Sequence, residues 1–403
     1  MSATTTGIDP LRFLDDAQVR ELYGRDNRPV YVYSRDLLAK QAKAALLFDV
    51  PYGLTVRYAM KANPHPEIIN IFNKLGIQID ASSGYEAEVA LEAGVDPERI
   101  MITTQELPGN LESLVERGAG FTACSMYQLE EYGKIAPGTN VAIRINPGIG
   151  AGENKKVTTS GLSASFGIWY AYLPQALALA KKYNLTVSQL HTHVGVGTDP
   201  AEWASVAHAN LDLVKNMPDV VSMSLGGGFK MGRMYGEPAA DMTSISEPIS
   251  AMLVDFAKKT GRKIGVEIEP GTFMVANAGS LLASIVDVKD TGPQGYNFLI
   301  LNVGMGEFLR STMYGSQHPL VVVPSSEGGS SRDVGDYVVV GHCCESSDVF
   351  TVASGASTEI EPRLLQRAEI GDLMCIEGVG AYCASMSAKG YNSFPTVDEV
   401  FVD

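Results

Sequence analysis

The feature that most constrains the fold is a repeated alternation of buried-type strand and amphipathic helix. After the apolar run VYVY from Val30, a helical stretch at 36–47 leads into LTVRYAM, which reads as a strand ending at Lys61. The segments GIQIDASS, ERIMITT, NVAIRINPG, VSQLHTHVG, VVSMSLGGG and RKIGVEIEPG read as further buried strands, each stopping at a polar or glycine-rich loop. Helical patterns at 66–75, 173–183, 201–216 and 246–260, and in GYEAEVALEAG with Gly94 as its C-cap, separate them. Parallel strands require such crossovers, and the span suits an eight-stranded (β/α)8 TIM-type barrel. A doubly wound open sheet is the rival α/β architecture. Placement favours the barrel: Lys61, His193, the run from Gly226 and Glu269 all fall at or just beyond strand C-termini, the face where barrel active sites assemble.

After about Gly279 the texture changes. SLLASIVDVKDTG, NFLILNVG, PLVVVPS, DYVVVGHCCES and DLMCIEGVGAY are short alternating segments with almost no helical periodicity, which predicts a mainly antiparallel β-barrel or β-sandwich domain. At 403 residues the chain exceeds what one core usually serves. The expected division is a barrel at 34–280 and a β domain from 1–33 and 281–403, its final segment returning toward the barrel. SSEGGSSRD from Ser325 reads as a low-complexity loop.

Composition narrows the function classes. A 45% hydrophobic, 19% charged chain is an ordinary globular protein, and a net charge of -15 argues against an electrostatic grip on nucleic acid or an anionic membrane. Small molecules or other protein chains are the expected partners. Five cysteines, an odd number with no CxxC pair, point to a reducing compartment. The N-terminus lacks a signal-peptide pattern, and no apolar run is long enough to span a bilayer, so a cytoplasmic location is expected.

Four features carry chemistry. Lys61, in RYAMKANPHP after an apolar strand, is placed to form a Schiff base if apolar neighbours disfavour its charged form. Taken alone, a solvated strand-end lysine is the commoner case. Gly226, Gly227 and Gly228 follow a strand with no Cβ to keep backbone N–H groups from an anion, a phosphate above all, although tight turns use glycine too. Glu269, in EIEPGT, can pair with a protonated ring nitrogen or merely cap a turn. His191 and His193 alternate with Thr192 and so share a strand face, which suits metal binding or stacking on an aromatic cofactor; no third metal ligand is evident.

YAMKAN, DASSGYE, HTHVGVG, LGGGF, EPG, RSTMYGSQHPL, CCESSDVF and GAYCASMSAKGYNSFP occur together in one order. In this the chain resembles, over nearly its whole length, the pyridoxal 5'-phosphate (PLP) dependent decarboxylases of the alanine-racemase-like fold, nearest to the diaminopimelate decarboxylases. The resemblance implies that Lys61 holds PLP as a Schiff base, His193 stacks on its ring and Glu269 contacts the pyridine nitrogen. It also implies that Gly226, Gly227, Gly228, Gly271 and Tyr382 lie near the phosphate, with Asp80 close by. Cys344 and Glu345 would enter the neighbouring subunit's site in a homodimer. Arg310 and Tyr314 would meet the substrate's distal carboxylate, and Glu345 its distal amine. Loss of CO2 leaves a carbanion that the cofactor ring delocalises, with Cys344 or Lys61 as proton donor.

The chain departs from the family at several points. Thr272 stands where the family has an arginine after EPG, Val196 replaces a serine, and Phe394 replaces a frequent arginine. Lys230 or Arg233 are candidates for the lost positive charge, although solvated loop residues are the commoner case. The expected reaction is meso-diaminopimelate to L-lysine plus CO2. D-ornithine, D-lysine, L-ornithine or L-lysine type substrates are alternatives. An amino-acid racemase, a PLP-binding regulator and a catalytically decayed paralogue are the rival classes.

Overall fold

The computed structural model describes residues 8–148, 160–195, 197–326 and 333–403. Two compact units are present: one comprises Leu38–Lys230 with Pro238–Met274, the other Met1–Leu37, Met231–Glu237 and Val275–Asp403.

In the first unit eight parallel strands close on themselves: Leu54–Ala59, Gln78–Ala81, Ile100–Thr103, Gly120–Ala123, Asn140–Asn146, Thr186–His191, Ser222–Ser224 and Gly265–Ile268. This is the TIM-type barrel expected from the alternation, and the open-sheet rival is excluded by the ring's closure. The strand Gly120–Ala123 went unread in the sequence. Its four residues are too few to stand out between the short helices Leu111–Glu116 and Met126–Ile135, yet it completes the ring by pairing with both Ile100–Thr103 and Asn140–Asn146.

Local sequence explains the strand-to-helix turns. Ser83 and Ser125 each follow a strand, and their hydroxyls accept the N–H of Glu86 and Gln128, satisfying donors that the first helical turn leaves open. Helix Met242–Thr260 stops at Gly261, whose φ of 74° lies in the left-handed region.

Side-chain parity then fixes what faces the barrel axis. Arg57 and Glu267 point inward and meet at 2.7 Å, both buried, so an ion pair rather than an apolar plug fills this layer. Two residues further along, the same parity brings Ala59 at the end of its strand and Glu269 just past the end of its own, and Lys61 follows in the turn beyond Ala59. A polar layer therefore lies directly beneath the candidate site.

The second unit is built on an eight-stranded sheet in which Gly279–Asp290 is the central long strand, flanked by Leu373–Glu377, Asn297–Leu301 and Val30–Ser34. Most pairings are antiparallel, as the alternating segments predicted. Asn297–Leu301 with Val334–Val340 and Val30–Ser34 with Asp398–Val402 are parallel. Helix Asp16–Gly24 is started by a reciprocal capping box between Asp15 and Gln18. Its Val19, Leu22 and Tyr23 pack with Val32, Leu282, Val323 and Leu373 in one core cluster. The N-terminal residues thus cover the β unit's core. No helix among the described residues is long and apolar enough to cross a membrane.

Breaking the buried Arg57–Glu267 pair by one partner leaves an uncompensated charge inside the barrel. Arg57→Met or Glu267→Leu alone is expected to cost about 3–5 kcal/mol, and the double variant much less than their sum. Urea unfolding of the three variants checks this; additive losses would show that the pair is not coupled.

Candidate active site

At the C-terminal mouth of the barrel one carboxylate organises the surroundings. Glu269 follows Ile268, is 5% exposed, and accepts the Ser224 hydroxyl at 2.6 Å on one oxygen and His191 Nε2–H at 3.0 Å. Ser224 in turn accepts the Gly226 N–H at 3.1 Å. Burial alone would raise the Glu269 pKa, but the His191 contact and the Ser224 hydroxyl outweigh it and hold the carboxyl well below the ordinary carboxylate range. The result is a fixed negative charge in a dry setting. His191 and Ser224 are register partners on neighbouring strands. Their part was missed in the sequence, although inward parity with Glu269 was the available signal.

His193, beyond the strand end, does not join His191. Its Nδ1 accepts the Gly227 N–H at 3.0 Å, which places the proton of the neutral ring on Nε2. Burial, Arg144 and Lys61 push its pKa well below the ordinary histidine value, so the ring is neutral. His191 turns its Nε2 to Glu269, His193 its Nδ1 to Gly227, and among the described residues no three metal-ligating side chains converge.

The glycine run is a close-approach site, though not as read. Gly226 has φ 71°, and a Cβ there would lie 2.6 Å from His193 Nδ1; at Gly227 a Cβ would run into the Glu269 carbonyl oxygen. The Gly226 and Gly227 N–H groups are spent on Ser224 and His193. Gly228 N–H is the one of the three not engaged by another described residue. A Cβ at Gly271 would lie 3.2 Å from the Ala62 Cβ and 3.3 Å from the Ala59 carbonyl oxygen.

Lys61 lies in a short 3-10 turn between buried Met60 and Ala62, yet is itself exposed. The apolar surround expected for it is absent: its charge is felt by Asp80, Glu86 and His193. Val196 lies outside the described residues. Thr272 is half-buried at the first position of helix Thr272–Val275.

The remaining candidates belong to the β unit. Arg310 and Tyr314 share helix Arg310–Tyr314, and the Arg310 guanidinium carbon is 5.7 Å from the Tyr314 ring centre and 6.0 Å from that of Tyr382. Tyr382 holds φ at 56°, a conformation a bulky residue keeps only under tertiary constraint. Cys344 and Glu345 are exposed on a turn tied to that helix through Thr312 and Ser347. Buried Asp348 pins the turn by accepting the N–H groups of Met305 and Cys343 at 2.7 and 2.9 Å. Cys344 N–H bonds to Asn392. The Glu345 carboxylate folds back onto Ser347, which lowers its pKa. Phe394 stacks on His342 with ring centres 3.6 Å apart. Arg233 is not a solvated loop residue: it is 9% exposed, with Nε bonded to the Gly378 carbonyl.

The barrel residues fit a phosphorylated pyridine. Glu269 offers fixed negative charge for a ring N–H, the glycine run admits close approach, and the Asp80 Oδ1 is buried with no partner among the described residues. Burial and Glu269 raise the Asp80 pKa to about 7 despite Lys61. A raised carboxyl pKa makes its stabilising contribution below the unfolded value of 3.8 and loses it as pH climbs through the folded value. In the cofactor-free protein, Asp80→Asn is therefore expected to gain Tm relative to the parent between about pH 5 and about pH 8. Thermal melts at both pH values check this; a constant difference would show that Asp80 does not titrate there.

Comparison with known proteins agrees with this geometry. Residues 35–276 match the family model of the pyridoxal-dependent decarboxylase, pyridoxal binding domain. The chain is 35% identical over 397 residues to diaminopimelate decarboxylase of Streptomyces coelicolor, covering 97% of this chain and 88% of that one. A crystal structure of a diaminopimelate decarboxylase superposes with TM-score 0.89 at 32% identity, covering 96% and 91% of the two chains. The Helicobacter pylori diaminopimelate decarboxylase complexed with L-lysine superposes with TM-score 0.81 at 26% identity, covering 95% and 93%. A closed barrel with an ionised glutamate at its mouth and this near-full-length kinship lead to one conclusion: the chain is a PLP-dependent carboxy-lyase that belongs to the diaminopimelate decarboxylase family.

Proposed function

We propose that the protein decarboxylates meso-diaminopimelate to L-lysine, and that residues 34–280 bind the cofactor while 1–33 and 281–403 help read the substrate. The observation that carries the reading is the Glu269 carboxylate, kept ionised by His191 and Ser224. Bound PLP supplies an electron sink for the pair left when the bond to CO2 breaks. Lys61 would hold it through its amine, Glu269 would stabilise a protonated ring nitrogen, His193 would lie against the ring, and Gly228, Gly271 and Tyr382 would face the phosphate. A neutral His193 adds no positive charge to compete with the ring for Glu269. Asp80, with a near-neutral pKa, can hold or release a proton beside Lys61.

Arg310 and Tyr314 suit a substrate carboxylate. Cys344 is the proposed proton donor to the substrate carbon, with Lys61 the alternative, and Glu345 the group for a distal amine. Their exposure on a turn held by Asp348 supports a homodimer in which each protomer completes its partner's site. All five cysteines are free, which suits a reducing cytoplasm.

Three measurements test this. Lys61→Ala is expected to lose the visible absorption of bound cofactor and to release CO2 roughly 10³-fold more slowly. CO2 release should be fastest with meso-diaminopimelate; release from D-lysine or D-ornithine alone would make the substrate wrong. Mixing inactive Lys61→Ala and Cys344→Ala proteins should restore up to about a quarter of the sites through mixed dimers, whereas no recovery would argue against shared sites.

A further inference from the structure

The β unit gathers three guanidinium groups; Asp9 and Glu377 feel the charge of Arg12, and Glu237 that of Arg233, but none of these carboxylates closes an ion pair on them. Arg12, Arg233 and Arg310 face one another closely enough that the other two help depress the Arg233 pKa, after burial, to about 9. Arg12 donates to the Arg233 carbonyl, and Arg233 Nε donates to Gly378 O at 3.0 Å. Asn277 fixes the preceding residue by donating to the Gly232 carbonyl at 2.9 Å. Arg12 Nε, Arg233 Nη2 and Arg310 Nε are all buried without a partner among the described residues. The nearby carboxylates are spoken for: Glu237 accepts the N–H groups of Arg233 and Met234, and Glu377 accepts Arg12 N–H and the Ser280 hydroxyl. No ion pair closes on any of the three guanidiniums among the described residues. Buried charge left in this state is costly, and a planar fork of N–H donors is complementary to a carboxylate.

Resting on the decarboxylase reading above, we infer that Arg233 is a specificity-determining residue that, with Arg310, binds the distal carboxylate of a diacid substrate. Of the residues Met231–Glu237, Arg233 is thus the part that reads substrate. Lys230, partly exposed, is not needed for it.

The test uses the PLP-loaded enzyme and two ligands that differ by one carboxylate: L-lysine, which keeps the distal carboxylate, and cadaverine, which lacks it. Calorimetry on the parent should show preference for L-lysine. Arg233→Met should weaken L-lysine by at least about 30-fold and raise KM for meso-diaminopimelate while leaving cadaverine unchanged and the cofactor absorbance intact. Arg233→Lys, which keeps the positive charge, should retain part of the preference, which also controls for misfolding. If Arg233→Met keeps the preference, the assignment is overturned while the decarboxylase reading stands. If the variant loses cofactor instead, the anion is the cofactor phosphate and the assignment is likewise overturned. A parent that neither prefers L-lysine nor releases CO2 from meso-diaminopimelate overturns both.

Discussion

The site depends on keeping one carboxylate ionised where burial would neutralise it. Glu269 is out of water, so its charge survives only because His191 and Ser224 donate to it from the two preceding strand ends. Those donors are available because the barrel closes with Thr186–His191, Ser222–Ser224 and Gly265–Ile268 side by side and in register. Ser224 is oriented in turn by Gly226 N–H, and Gly226 must lack a Cβ because His193 fills that space. Ring closure, glycine placement and carboxylate charge are therefore one constraint expressed at three scales.

The same coupling explains why Arg57 and Glu267 lie below. Parity commits every second residue of each strand to the axis, so a strand that must end in Glu269 also delivers residue 267 inward. A glutamate there needs a cation, and Arg57 supplies it from the adjacent strand, also bonding the Arg99 carbonyl. A buried pair gives little net stability compared with apolar packing, but it positions two strands whose ends carry Lys61 and Glu269.

Much of this was legible in the sequence, and the omissions have physical causes. Alternation of strand and helix gave the barrel, because parallel strands bury both faces and announce themselves as apolar runs. Gly120–Ala123 escaped because a four-residue strand carries no periodicity. Strand-end position located Lys61, His193 and Glu269, but hydrogen-bond partners were invisible: that Gly226 and Gly227 spend their N–H groups on Ser224 and His193 depends on loop conformation, which spacing does not encode. Arg233 was misread for the opposite reason. In sequence it is a polar loop residue like any other, and only the contacts of Met231–Glu237 with the β unit's residues bury it.

Burial also separates the two kinds of charge in the chain. Surface pairs such as Arg25 with Glu21 or Lys259 with Asp255 stay hydrated on both sides, so they cost little and decide little. Glu269 and Arg233 have lost their water, and what replaced it differs: Glu269 is answered from within by two donors, whereas the free N–H of Arg233 is not. An internally satisfied buried charge is a preorganised tool, able to act on whatever ring nitrogen is presented without reorganising. An internally unsatisfied one is a cost carried by the folded chain that only a bound anion offsets, and a ligand that offsets it gains affinity and selectivity by the same interaction. On this reasoning the cofactor site is finished by the fold, while the substrate site is finished by the substrate.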